Sequence, residues 1–202
     1  MRTEFIKTLE DHGEEFGVDL PADTIGRLAE LYETILEHNP ILHLVGPCSP
    51  EEFAVRHILE SLTLLDYLPQ NARFADIGAG AGLPSIPCLI VRRDLKAILI
   101  ESKEKKASFL AAAVKELNID ERVSVVNRQF EEADAVGVGY VTCRALDKFT
   151  SKLPKLLKWA GQRRLMLFGG ENLAEALEKQ GIRFQRRLMP RSEQRYLFLI
   201  NQ

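Results

Sequence analysis

The sequence predicts a three-layer α/β sandwich in which a mostly parallel sheet, ending in an antiparallel pair, follows a helical leader. Three observations predict it. After residue 72, short apolar runs alternate with segments of helical period. Two strand-like runs, 183–189 and 195–200, then follow one another with no helix between them. Three glycines at alternate positions mark the turn from the first strand into its helix. At 202 residues, with 46% hydrophobic and 28% charged residues, one domain is expected, with a leader at 1–70 packed on a core at 71–202.

The leader reads as three helices. Residues 4–16 place Phe5, Ile6, Leu9 and Phe16 on one face, and residues 22–38 repeat Ile25, Leu28, Leu31, Tyr32, Ile35 and Leu36 at three and four. Asn39-Pro40 is expected to end the second helix. Ser49-Pro50-Glu51-Glu52 supplies an N-cap, a proline at the first helical position and a capping-box glutamate, so a third helix runs to about Asp66. In the core, strands are expected at 73–77, 97–100, 123–126, 138–143 and 164–168, with helices at 84–93, 103–117, 147–160 and 171–180.

The segment Phe74-Ala75-Asp76-Ile77-Gly78-Ala79-Gly80-Ala81-Gly82-Leu83-Pro84 organises the rest. Glycine lets backbone approach a ligand closely, and a strand-to-helix turn aims amide N–H groups into the space above a sheet. The spacing G-x-G-x-G departs from the dinucleotide G-x-G-x-x-G, with Leu83 where the last glycine belongs. Asp76, two residues before the first glycine, disfavours a pyrophosphate and suits the cationic, phosphate-free S-adenosylmethionine.

Ligands of such sheets sit beyond the carboxyl ends of the strands. Glu101 ends the second strand, where it can accept from a ribose diol or start a helix. Phe130 and Glu131 follow the third strand, where a ring could cover an adenine and a carboxylate meet its edge; a surface charge run is the other reading of Glu131. Arg144 ends the fourth strand and needs an anionic partner: a ligand carboxylate, an RNA phosphate or Asp76. Asp76, His57 and Arg144 are the candidates for a catalytic role.

Charge is graded along the chain. Residues 1–70 carry 4 Lys/Arg against 14 Asp/Glu, and residues 144–202 carry 13 against 5. A basic C-terminal third can hold a polyanion. Lys152, Lys155, Arg186, Arg187 and Arg195 are the candidate RNA-binding residues, with Lys148, Lys158, Arg163, Arg164 and Arg191 adding to the field. The first four are expected outside the strand-end pocket. Three cysteines without C-x-x-C spacing argue against disulfides and against a metal site. The chain shows no apolar run long enough to span a bilayer and no signal-peptide pattern at its start, so a cytoplasmic protein without a membrane partner is expected.

The assembled residues resemble the glucose-inhibited division protein B family, bacterial methyltransferases that modify a guanine of small-subunit ribosomal RNA at N7. The resemblance rests on Arg56-His57-Ile58-Leu59-Glu60-Ser61, on Asp76 through Ile86-Pro87, on Glu101-Ser102-Lys103-Glu104-Lys105-Lys106, on Arg128 to Glu132, on Arg144-Ala145 and on Arg195-Tyr196-Leu197. It implies a class I S-adenosylmethionine-dependent methyltransferase fold. It also implies cofactor binding by Gly78, Gly80, Leu83, Glu101, Phe130, Glu131 and Arg144, and 16S ribosomal RNA or the small ribosomal subunit as partner of a monomeric enzyme. Two departures bear on the acceptor. His43-Leu44-Val45 stands where the family has Asn-Leu-Thr, and Phe168-Gly169-Gly170 where it has Leu-Lys-Gly, so that Gly169 replaces a lysine. The rival readings are a methyltransferase of small molecules, which needs no polyanion face, and a nucleotide-binding regulatory module.

Overall fold

A computed structural model describes residues 1–144 and 149–201. Seven strands form one sheet: β1 (Arg73–Ile77), β2 (Lys96–Ile100), β3 (Val123–Val126), β4 (Tyr140–Arg144), β5 (Arg164–Gly169), β6 (Gln185–Leu188) and β7 (Tyr196–Ile200). Their order is β3-β2-β1-β4-β5-β7-β6. The first five are parallel, and β7 runs antiparallel between β5 and β6. The direction of strand addition reverses between β1 and β4, so a crevice opens there at the carboxyl ends.

Alternation along the strands builds two cores, one on each face. Phe74, Leu99, Met166, Phe168 and Leu197 face one side. There they pack under α5 (Ser85–Val91), α6 (Glu104–Glu116) and the leader. Ala75, Ile77, Ile98, Val141, Leu165 and Phe198 face the other, against α7 (Phe149–Ala160) and α8 (Glu171–Lys179).

The leader comprises α1 (Arg2–His12) with a 3₁₀ turn Gly13–Phe16, α2 (Ala22–Leu42), and the short segments α3 (Pro50–Phe53) and α4 (Glu60–Leu62). Its core is aromatic: Phe5 stacks on Tyr32 at 4.4 Å and Phe53 meets Tyr32 edge-on at 4.8 Å. Those rings belong to the same buried cluster as the sheet residues Phe74 and Leu99.

Two leader expectations are corrected. First, α2 does not stop at Asn39-Pro40 but continues to Leu42, closed by His43 in the left-handed conformation. A proline in a last turn forfeits little, and Asn39 turns its side chain onto the chain beyond the helix, accepting from Leu44 N at 2.7 Å and Val45 N at 2.9 Å. Second, the helix that Ser49 and Glu52 open with their capping box is not uniform. It widens into a π-helical stretch, Ala54–Leu59, and tightens into a 3₁₀ end, Thr63–Tyr67. Such widenings reorient backbone carbonyls and are frequent at functional sites. The core strands and helices begin and end within about three residues of expectation, the usual scatter of element ends. Lys148 and Ala145 lie outside the described residues.

Candidate functional site

A cavity of about 560 Å³ opens at the carboxyl edge of the sheet. Its floor is the glycine turn, Gly78 to Ala81 with Leu83; Glu101, Ser102, Lys103, Lys106 and Gln129 form the β2–β3 side, and Arg144, His57 and Lys152 the β4 side. Leu44, Val45 and Gly46, from the loop after α2, close the remaining wall. Gly78, Gly80, Leu83, Glu101, Arg144 and His57 therefore lie together as the sequence suggests.

The turn has the backbone that glycine permits. Gly78, Gly80 and Gly82 all have positive φ. At Gly80 an added Cβ would meet only the Gly78 carbonyl, at 3.6 Å, and otherwise open space; at Gly82 it would strike Ile86 at 2.3 Å. One glycine thus keeps the cavity clear, and the other lets α5 pack down on the turn.

Glu101, 6% exposed, fulfils its structural reading and keeps capacity for the other. Its Oε1 accepts from Lys103 N at 2.8 Å and its Oε2 from Gly80 N at 3.0 Å. Each oxygen retains a lone pair toward the cavity it lines. A carboxylate therefore already fills the Gly80 amide.

Asp76 is corrected. It is fully buried, points into the α5 face, and is absent from the cavity wall. Its Oδ2 accepts from Ser85 Oγ at 2.5 Å, and its Oδ1 has no partner among the described residues. Burial, with the Glu101 charge adding to it, raises its pKa to about 7. Asp76 ties the glycine turn to α5 through Ser85 and lies outside the cavity lining.

Phe130 is corrected as well. Its ring is buried and meets Trp159 edge-on at 6.1 Å, in the core beneath α7. Glu131 lies at the surface and pairs with Lys155 at 3.4 Å. Gln129, one residue earlier, is what reaches the cavity.

Of the partners expected of Arg144, Asp76 is the one the protein itself supplies, and it acts on Arg144 through its charge without a hydrogen bond. The Arg144 guanidinium donates to the Arg56 carbonyl at 2.5 Å and to Ser61 Oγ at 3.3 Å, sits 3.5 Å from Glu60 Oε2, and lies over the Phe168 ring. The Arg56 carbonyl belongs to the π-helical stretch. Glu60, 1% exposed, also receives Arg195 Nε at 2.6 Å. Burial pushes the Glu60 carboxyl up, and the two guanidiniums pull it back. His57, packed edge-on against Phe53, is held down to about 3 by burial and by Arg144, Arg56 and Arg195. It is a neutral imidazole at pH 7, and so meets a phosphate without charge.

The basic third divides as well. Arg186 pairs with Glu171 on the α8 face and Arg187 with Asp66 on the leader face. Adjacent strand residues point to opposite faces, so these two cannot form one patch. Arg195 is engaged by Glu60. Lys152 is corrected in the other direction: expected outside the pocket, it lines it.

Asp76 and His57 oppose each other in pH dependence. Asp76 has a folded pKa above its unfolded value of about 3.8, so its contribution is full below that pH and is lost as pH rises toward 7. His57 has a folded pKa below 6.5, so its contribution is present above 6.5 and is lost as pH falls toward 3. Between pH 4 and 6.5 the two nearly cancel. Asp76→Asn is expected to make stability rise more steeply with pH than in wild type across that window, and His57→Gln to make it fall. Either change is bounded by one proton, about 1.4 kcal/mol per pH unit. Denaturant titrations at four pH values check it, and parallel curves for all three proteins would refute it.

The described residues contain no group of three or more His, Cys, Asp or Glu that could hold a metal, and no helix long and apolar enough to cross a membrane. Cys88 and Cys143 are buried and Cys48 partly so, none of them in a disulfide.

Comparison with known proteins places these features. The family described as GidB, rRNA small subunit methyltransferase G, matches residues 24–190. A Ribosomal RNA small subunit methyltransferase G of Sorangium cellulosum is 37% identical over 175 residues, 79% of this chain and 72% of that protein. One of that name from Azoarcus is 40% identical over 117 residues, 58% of this chain and 55% of that protein. Among solved structures, a SAM dependent methyltransferase from Aquifex aeolicus superposes with a TM-score of 0.60 at 16% identity, covering 76% of this chain and 94% of that one. A NADB-Rossmann superfamily protein from Streptococcus agalactiae gives 0.59 at 14% identity, covering 70% and 67%. At such identities the shared property is the fold.

Proposed function

We infer the function from family and site together: the chain belongs to the rRNA small subunit methyltransferase G family, and its cavity suits methyl transfer from S-adenosylmethionine to N7 of a guanine in 16S ribosomal RNA. The observation that carries the cofactor reading is the hydrogen bond from Gly80 N to Glu101 Oε2. In a dinucleotide site the amides of this turn serve a pyrophosphate. Here a carboxylate holds one of them and would repel a phosphate, while it suits a nucleoside that carries none.

The residues present fit that cofactor. Glu101 has lone pairs for a ribose diol, the cavity is open above Gly80, and Arg144 offers a cation for a carboxylate on the β4 side. S-adenosylmethionine, when bound, supplies an electrophilic methyl group on a sulfonium. Guanine N7 presents an in-plane lone pair and no proton at neutral pH, so no general base is required. A neutral His57 and a buried Asp76 agree with that chemistry. The task left to the protein is alignment, which can contribute effective molarities of about 10⁵–10⁸ M. Gly78 to Ala81 and Glu101 would hold the nucleoside, and the loop carrying Leu44 and Val45 would close the remaining wall against water. A ribosomal acceptor places the reaction in the cytoplasm.

The test is direct. Purified protein with S-adenosylmethionine is expected to add one methyl group at guanine N7 to 16S RNA or small subunits from cells lacking the gene, read by nuclease digestion and mass spectrometry. Activity on free nucleosides, or activity indifferent to salt, would instead favour a small-molecule acceptor. Stabilisation by NAD and not by S-adenosylmethionine would favour a nucleotide-binding module.

A further inference from the structure

Of the five cations that the sequence marks for RNA, four are held by carboxylates: Lys155 by Glu131, Arg186 by Glu171, Arg187 by Asp66 and Arg195 by Glu60. Lys152 makes no ion pair or hydrogen bond to any described residue, and it alone of the five lines the cavity. Its place along the sheet edge says which part of the cavity it serves. Glu101 from β2 and Gln129 after β3 lie to one side of the β1 glycine turn; Arg144 of β4 and Lys152 of α7 lie to the other. The nucleoside of the cofactor belongs on the β2 side, so Lys152 stands on the side the acceptor enters.

The surroundings there favour an anion. Glu60 faces Arg144 and is shared with Arg195, with Arg56 nearby and His57 uncharged; Asp76, the other buried carboxylate that acts on Arg144, has its pKa raised to about 7 by burial and so carries only part of a charge at neutral pH, which leaves the guanidiniums in excess. At the end of β5 no side chain can supply a cation instead. Position 169 is glycine, and a Cβ on it would fall 2.6 Å from Leu173 Cδ2.

We propose that Lys152 binds a backbone phosphate of the acceptor RNA at the cavity mouth, and so fixes the target nucleotide against the cofactor. This rests on the RNA methyltransferase reading above. A lysine ammonium is a compact charge on a flexible stem, suited to a phosphate whose approach is not bidentate. The other four cations each face a carboxylate, and Lys152 is the one of the five set in the cavity wall.

The experiment measures methylation of 16S RNA, RNA affinity at several salt concentrations, and S-adenosylmethionine affinity by calorimetry. Wild type is compared with Lys152→Ala, Lys152→Arg and Lys115→Ala, the last an exposed lysine in the last turn of α6. Lys152→Ala is expected to raise KM for RNA about tenfold and to reduce the log–log salt slope by nearly one unit, the share of a single phosphate contact. S-adenosylmethionine affinity should be unchanged, and Lys152→Arg should recover most of the loss. Lys115→Ala should behave as wild type. Lost S-adenosylmethionine affinity with an unchanged salt slope would overturn the proposal and give Lys152 to the cofactor carboxylate. An unchanged slope together with unchanged KM overturns it outright. Failure of the wild type to methylate RNA would count against the underlying reading instead, which keeps the two separable.

Discussion

Gly80→Ala is expected to abolish useful S-adenosylmethionine binding while the protein still folds, and Gly82→Ala to do the reverse damage. The Cβ of Gly80 would enter open space above the turn, where only the Gly78 carbonyl lies within 4 Å. Nothing in the protein opposes it except the backbone, because φ of +52° is unfavourable for alanine by about 1–2 kcal/mol. In a chain of this size that lowers Tm by about 2–8 °C. The same methyl group occupies volume the cofactor needs, and a closed site rejects one carbon too many by roughly 100-fold. At Gly82 the Cβ falls 2.3 Å from Ile86 Cδ1 and 2.7 Å from Cγ1, and Ile86 is fully buried and stiff. Overpacking of about 1–3 kcal/mol adds to a similar backbone cost. Calorimetry and thermal melts decide it. If Gly80→Ala binds as wild type does, the cofactor does not lie over this turn.

The parts of the fold that were legible in the sequence are those with local signals. Strands read from short apolar runs, core helices from their period, and the glycine turn from spacing alone; these appear within about three residues of expectation, while two leader helices differ. Glu101 and Arg144 were legible because residues at strand ends share one edge of a sheet. What was hidden depends on contacts between distant segments. Glu60 and Arg195 lie 135 positions apart and meet at 2.6 Å, and neither neighbourhood announces the other. The π-helical widening at Ala54–Leu59 has no proline or glycine to mark it. Position after a strand does not say which way a ring turns, and the Phe130 ring lies in the core edge-on to Trp159. The loop carrying Leu44, Val45 and Gly46 was noticed only as a departure from the family. Its place in the cavity wall follows from Asn39, whose amide also donates to the Val45 carbonyl at 3.1 Å.

Removing Glu60 is expected to cost more stability than removing Arg144, although Arg144 is the residue in the cavity. Glu60 pairs with two guanidiniums from a position with 1% exposure. In Glu60→Ala, Arg195, whose side chain is 36% exposed, can turn to water, but Arg144 at 15% cannot. An uncompensated charge is then left inside, which costs about 3–5 kcal/mol, or about 6–20 °C in Tm. Arg144→Ala leaves Glu60 with Arg195 still bound at 2.6 Å, so its melting temperature should fall by much less. Its loss is functional. The cavity forfeits the cation on its β4 side, and turnover should drop at least about 100-fold, the scale of losing one aligned electrostatic contact. The double variant Glu60→Leu with Arg144→Met separates the two effects. Replacing a buried pair by apolar groups of similar size is often neutral for stability, so this protein should melt near wild type and remain inactive. Equal losses of Tm in the two single variants would mean that Arg195 does not compensate Glu60 once Arg144 is gone. An active Arg144→Ala protein would take Arg144 out of the reaction altogether.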